Sequence, residues 1–281
     1  MVYAIEMNDI VQKFAEKEVL RGIDLKICQG EIFGLLGPSG AGKTTLIKIL
    51  TGQLRQSAGE AFLLGRNTKN LKEIHQRLGM MMDNLGLYER MSCYDNLKLF
   101  SRIYRVSEKR AGEALEKTGL FQDRRCPVMK LSKGMRSRLS LARAIMAEPE
   151  ILFLDEPTGG LDPVTSAEIH KLIEGERQRG ATVFLTTHNM EEAYKLCDHV
   201  ALLNEGSIVE YGEPREVCRR YNHQKELQIR LYGGKQMTLP NDKSAAEAVS
   251  AYLKEEKIET IHSTEPSLET VFMELTGRRF V

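Results

Sequence analysis

Residues 37–44 read Gly-Pro-Ser-Gly-Ala-Gly-Lys-Thr, a full G-x-x-x-x-G-K-[ST] phosphate-binding loop. The run before it, Glu31-Ile32-Phe33-Gly34-Leu35-Leu36, is short, apolar and suited to a buried strand. The run after it, Thr45-Leu46-Ile47-Lys48-Ile49-Leu50, spaces its apolar residues as a helix does. Strand, glycine loop and helix N-terminus together aim backbone N–H groups and a helix dipole at phosphate. Glycines are needed because side chains would hold the phosphates away from those N–H groups. In this loop Lys43 is placed to bridge the β- and γ-phosphates, and the Thr44 hydroxyl to sit on Mg²⁺. The stretch Gly37, Pro38, Ser39, Gly40, Ala41, Gly42, Lys43, Thr44 and Thr45 therefore predicts binding of a nucleoside triphosphate.

Farther along, Ile151-Leu152-Phe153-Leu154-Asp155-Glu156 is an apolar strand ending in two carboxylates. Four consecutive apolar residues fit a strand covered on both faces, as in a parallel sheet. Asp155 can hold the Mg²⁺ shell, and Glu156, pointing elsewhere, is placed to polarise an attacking water. The turn Pro157-Thr158-Gly159-Gly160-Leu161-Asp162-Pro163 leads into the next helix.

From about residue 3 to residue 215 the chain resembles the ATP-binding subunits of ABC transporters. Leu131-Ser132-Lys133-Gly134-Met135 looks like that family's signature sequence. Asp162 matches its D-loop aspartate, and His188, ending the strand Ala181–Thr187, matches its switch histidine. Phe14 lies where the family places the aromatic residue that stacks on adenine. The resemblance implies ATP and Mg²⁺ as ligands and a head-to-tail dimer, in which Ser132 and Gly134 of a second subunit close over the γ-phosphate. It also implies a separate integral membrane subunit and a place on the cytoplasmic face of the membrane.

Two departures from the family pattern stand out. The signature usually carries a second glycine and a glutamine where this chain has Lys133 and Met135, a variant similar to those of antibiotic and peptide exporters. After Leu78–Met82 the family has a glutamine contacting Mg²⁺ and water; Asp83 stands there. A carboxylate can bind Mg²⁺, but it is one methylene shorter and donates no hydrogen bond. The role this change touches is coupling of hydrolysis to the membrane partner, not ATP binding.

Composition narrows the reading further. A length of 281 residues suits one large domain and a small appendage. A net charge of +1 gives no general attraction to nucleic acid. The basic run Lys133, Arg136, Arg138 and Arg143 reads as a solvated helix face with nearby carboxylates. Five scattered cysteines without a C-x-x-C pair read as reduced cytosolic thiols. His170, His199 and Cys197 have no partners at ligand spacing, and the run Met80–Met82 reads as core. No signal-peptide pattern or run of ~18 apolar residues is present, so a channel is expected on another chain.

The expected fold is α/β: a P-loop NTPase core with a mainly parallel sheet over residues 1–80 and 150–215, and a helical subdomain over about 92–148. The expected division is an ATP-binding domain at 1–218 and an α+β appendage at 219–281. In the appendage, alternation on either side of Gly233-Gly234 predicts a hairpin, Ser244–Glu255 a helix, Lys257–His262 a strand and Pro266–Gly277 a closing helix. The ending from Pro266 to Gly277 resembles the appendages of antibiotic and lipid export ATPases. The leading reading is the ATPase subunit of an exporter of an antibiotic, peptide or lipid. A soluble ABC-type ATPase acting on ribosomes or nucleic acid, and a nucleotide-gated regulator with weak hydrolysis, remain as alternatives. Membrane contact is expected on residues 83–105, where Leu85, Leu87, Tyr88, Met91 and Tyr94 stand among charges.

Overall fold

The computed structural model describes residues 2–82, 86–223 and 225–277. The chain divides into two compact units, Met1–Glu213 and Pro214–Phe280. The boundary expected at 218 thus moves to 213, because the helix that opens the second unit packs on that unit's own closing helix.

Three strands set the frame of the first unit: β3 (Ile32–Leu36), β7 (Ile151–Asp155) and β8 (Thr182–Thr187) are buried along their whole length. Such continuous burial is the mark of strands covered on both faces. With β6 (Leu78–Met81), β9 (His199–Asn204) and β10 (Ser207–Gly212) they form a sheet of order β10-β9-β3-β8-β7-β6. Every neighbouring pair is parallel except β9 with β10. Register does the work that matters for function. Leu36 pairs with Thr187 and Asp155 with Thr186, so the loops leaving β3, β7 and β8 emerge at one edge. Ligands of open α/β sheets bind at that carboxyl edge.

The first strands do not join this sheet. β1 (Tyr3–Phe14), β2 (Lys17–Cys28), β4 (Ala58–Leu63) and β5 (Arg66–Asn67) make a separate antiparallel sheet. Only Ala15 and Glu16 separate β1 from β2, so the two pair antiparallel; a parallel pairing needs a crossover of a dozen residues or more. Helix α1 (Lys43–Leu50) buries Leu46, Ile47, Ile49 and Leu50 in the core shared by the two sheets.

Helices α2 (Cys93–Tyr104), α3 (Lys109–Lys117) and α4 (Lys133–Ile145) enclose a second core around Leu97, Ala111, Leu115 and Leu139. Ser92 and Ser132 cap α2 and α4, accepting from the N–H groups of Asp95 and Met135. Of the basic residues on α4, Arg136 and Arg138 do face Glu89 and Glu168. Arg143 does not lie on a solvated face. It is buried over the Phe100 ring and donates to the carbonyls of Gly86 and Met80. The unit is completed by α5 (Pro163–Gln178) and α6 (Met190–Leu196).

In the second unit, α7 (Pro214–Arg220) packs on α9 (Leu268–Thr276). Strands β11 (Glu226–Leu231), β12 (Gln236–Pro240) and β13 (Ile258–Ser263) form an antiparallel sheet of order β12-β11-β13, accompanied by α8 (Ala246–Lys254). The β11–β12 hairpin turns on Gly233 and Gly234, both at positive φ, as the sequence implies.

Candidate active site

The loop between β3 and α1 lies at the carboxyl edge of the parallel sheet. Gly42 occupies the cap position of α1 at φ 114, a backbone that side chains rarely adopt. Among the described residues no side chain caps this helix and none in its first turn is acidic, so its leading N–H groups lack the usual cap acceptor. Beside them a cavity of about 320 Å³ is lined by Pro38, Ser39, Gly40, Gly42, Lys43, Thr44, Thr45, Val19, Asp155 and Glu156. An uncapped, acid-free helix N-terminus beside a buried lysine fits a polyphosphate. Gly37 and Ala41 back the loop instead of facing the cavity. A side chain at Gly37 would meet the Leu203 carbonyl at 2.4 Å.

Three loops converge there. The Lys43 ammonium donates to the Gly37 carbonyl at 2.6 Å and stands 3.4 Å from Glu156 Oε1. The other Glu156 oxygen, Oε2, lies 2.7 Å from His188 Nδ1. Lysine and histidine thus grip the two oxygens of one carboxylate. Glu156 itself follows β7 at φ 51, in the left-handed region.

Asp155, only 2% exposed, accepts from the hydroxyls of Thr44 (2.9 Å) and Thr186 (2.5 Å). Among the described residues it makes no ion pair. A buried carboxylate held by hydroxyls alone lacks a counter-charge, and a hard divalent cation taking oxygen ligands would supply it. Thr44 and Asp155 therefore fit Mg²⁺ together. Asp83, the third expected metal ligand, lies outside the described residues, as does Leu85.

The remaining expected residues are not brought to this cavity. Ser132 caps α4, and a side chain at Gly134 would meet Thr165 Cγ2 at 2.7 Å, so the signature segment rests on the start of α5. Asp162 caps α5, accepting from the N–H groups of Val164 and Thr165 and from the Thr165 hydroxyl. Those Thr165 bonds hold its carboxyl below the usual range. Phe14, 46% exposed, ends β1, and the cavity wall nearest the β1–β2 hairpin is Val19 instead.

Sequence reasoning missed Val19 and Thr186, and it missed a polar cluster beneath the edge. Glu192, almost fully buried on α6, accepts from Thr158, His170 and Thr187. Burial alone would raise its pKa, but the bonds from His170, Thr158 and Thr187 outweigh it and hold the carboxyl below its usual range. A signal existed: Thr186 and Thr187 put two hydroxyls at the end of a strand otherwise fit for full burial, and buried hydroxyls need partners.

Residues 20–159 match the family described as ABC transporter. Over 270 residues the chain is 38% identical to a fluoroquinolones export ATP-binding protein of Mycobacterium tuberculosis (strain CDC 1551 / Oshkosh), covering 94% of this chain and 90% of that one. It is 36% identical over 209 residues to the bacitracin transport ATP-binding protein BcrA of Bacillus licheniformis, covering 73% and 68%. Among solved structures it is similar to cbiO1 from Clostridium perfringens, part of the ABC transporter complex cbiONQ. That match has a TM-score of 0.70 and 29% identity, over 77% of this chain and 91% of the other. A dimeric ATP-binding cassette in a post-hydrolysis state bound to ADP and Pi matches with a TM-score of 0.68 and 25% identity, over 74% and 98%.

Proposed function

This chain belongs to the family of ABC transporter ATP-binding proteins, and on that premise we propose that it powers an exporter through a separate integral membrane subunit. It binds and hydrolyses ATP. The supporting observation is that Lys43, Glu156 and His188 meet at one sheet edge while Ser132 and Gly134 do not line the same cavity. Each chain thus offers a phosphate loop to one nucleotide and a signature segment to another. Two copies placed head to tail would complete two sites.

Within such a site Lys43 binds the β- and γ-phosphates, and the free N–H groups at the start of α1 hold the phosphate oxygens. Glu156 takes the proton of the attacking water, and His188 fixes its orientation. Thr44 and Asp155 would hold Mg²⁺, which when bound supplies positive charge against that developing on the phosphates. The cargo class, an antibiotic or peptide, follows the relatives that export fluoroquinolones and transport bacitracin.

For the membrane subunit we propose the docking surface on residues 83–105, of which 83–85 lie outside the described residues. Tyr88 is exposed there, while Leu87 and Tyr94 lean on the helical core. No described helix is long and apolar enough to cross a membrane. The test is turnover of the purified chain against its own concentration: a composite site gives a rate that rises faster than linearly until dimers saturate. Strictly linear activity would mean a self-sufficient site. Co-purification of a membrane protein, lost on Tyr88→Asp with ATP binding kept, tests the docking surface; if Tyr88→Asp still co-purifies, the surface is misplaced.

A further inference from the structure

We propose that Glu192 is a positioning residue that sets the Glu156–His188 pair by tying together the two loops that carry them. Neither residue of that pair touches Glu192 directly; the connection runs through their neighbours. Oε2 accepts from the Thr187 hydroxyl at 2.7 Å, one residue before His188. The same Thr187 oxygen accepts from the N–H of Asn189, one residue after His188, at 2.9 Å. Asn189 then accepts the N–H of Glu192 on its side chain at 3.0 Å, which closes the ring. His188 therefore sits on a short loop with one end fastened to the carboxylate of Glu192 and the other to its backbone N–H.

Oε1 serves the other loop. It accepts from the Thr158 hydroxyl at 2.5 Å, two residues beyond Glu156, and from His170 Nε2 at 2.7 Å on α5. α5 is the helix whose first turn is capped by Asp162. Three donors on three separate segments thus converge on a carboxylate that solvent scarcely reaches. A buried charge with this many partners ties strongly, because losing any one leaves a polar group unsatisfied in a low-dielectric setting. The atoms it holds in place sit beside the 2.7 Å contact between Glu156 Oε2 and His188 Nδ1, and proton transfer tolerates little misplacement.

Glu192→Gln keeps the shape but gives up a charge and one acceptor. It is expected to lower kcat about 10- to 100-fold with little change in the KM for ATP, the pattern of a misplaced group and not of lost binding. The deciding measurement is made in the His188→Ala background. If Glu192 acts by setting the Glu156–His188 pair, adding Glu192→Gln there, where the pair is already broken, costs far less than in the wild type; a merely structural role costs the same factor in both backgrounds. Should Glu192→Gln fail to fold, Thr187→Val, which removes one hydroxyl at the end of β8, carries the same comparison. An additive loss, or a fall in kcat that only tracks the melting temperature, overturns the proposal. The inference rests on the ATPase reading, and the two fail differently. Wild-type chain without ATP turnover defeats the reading, whereas active wild type with additive variants defeats only the role of Glu192.

Discussion

The sheet edge and the signature segment of the first unit are built to different degrees of completion. At the edge, side chains from three loops already touch: Lys43 with Glu156, Glu156 with His188, Asp155 with Thr44 and Thr186. At the start of α4, among the described residues, Ser132 bonds within its own helix turn, and Gly134 abuts Thr165. The first region is drawn together by contacts within one chain. The second has its shape fixed by capping and packing, and neither Ser132 nor Gly134 lines the cavity at the edge. On the proposed reading, the edge where side chains of three loops meet is the catalytic half, and the capped start of α4, which does not line that cavity, is the half offered to a second copy.

The sharpest way to break this contrast is at the edge. Lys43→Ala should abolish ATP binding or weaken it by several kcal/mol (~3–5, as for a buried ion pair deprived of one partner), measured by calorimetry. Affinity close to wild type would remove the phosphate loop from the site. Glu156→Gln keeps the shape but cannot take a proton. It should bind ATP normally, turn it over about 10²–10⁴ times more slowly and accumulate as a dimer on gel filtration with Mg-ATP. Unchanged turnover would assign the base elsewhere.

The start of α4 calls for a subtler break. Ser132→Asp preserves the cap of α4, since aspartate caps as well as serine, yet it sets a negative charge where a partner's γ-phosphate would arrive. Alone, this variant should be nearly inactive with ATP binding intact. Mixed with Lys43→Ala it should regain turnover, because a mixed dimer contains one site with both halves sound. No recovery on mixing would mean that the halves belong to the same site. The smallest effect concerns Glu192. Its folded pKa lies below the ordinary 4.5, so the stability it contributes is present above about 4.5 and is lost as pH falls through the folded value. The stability gap between wild type and Glu192→Gln, about 1–3 kcal/mol near neutrality, should shrink in acid. A gap that is constant with pH would mean the carboxyl is not ionised in the fold.

The residues legible in the sequence were those whose chemistry is written in local spacing. Gly37–Thr44, Asp155–Glu156 and His188 each follow an apolar run, and strand ends can be read from such runs. Thr186 and Glu192 were not legible, since their partners lie 31 and 34 residues away and meet them only through strand register. Val19 was missed for a related reason: which residue of a hairpin reaches the loop depends on how the antiparallel sheet is set against the parallel one. Arg143 read as one charge in a basic stripe, and only the packing of α4 on α2 shows it buried over Phe100.

One backbone angle carries a further consequence. Glu156, the proposed base, stands at φ 51, a conformation that costs an L side chain roughly 1–2 kcal/mol and that glycine or asparagine accepts more readily. Folding and turnover therefore ask for different residues at the same place. A variant library ranked by melting temperature would gather Gly and Asn at position 156 and discard the engine while improving the casing. Melting temperature and turnover ranked side by side at this one position should run in opposite order, and parallel ranks would show that the turn is relaxed. Breeding a sturdier form of this protein means holding position 156 fixed and seeking stability elsewhere.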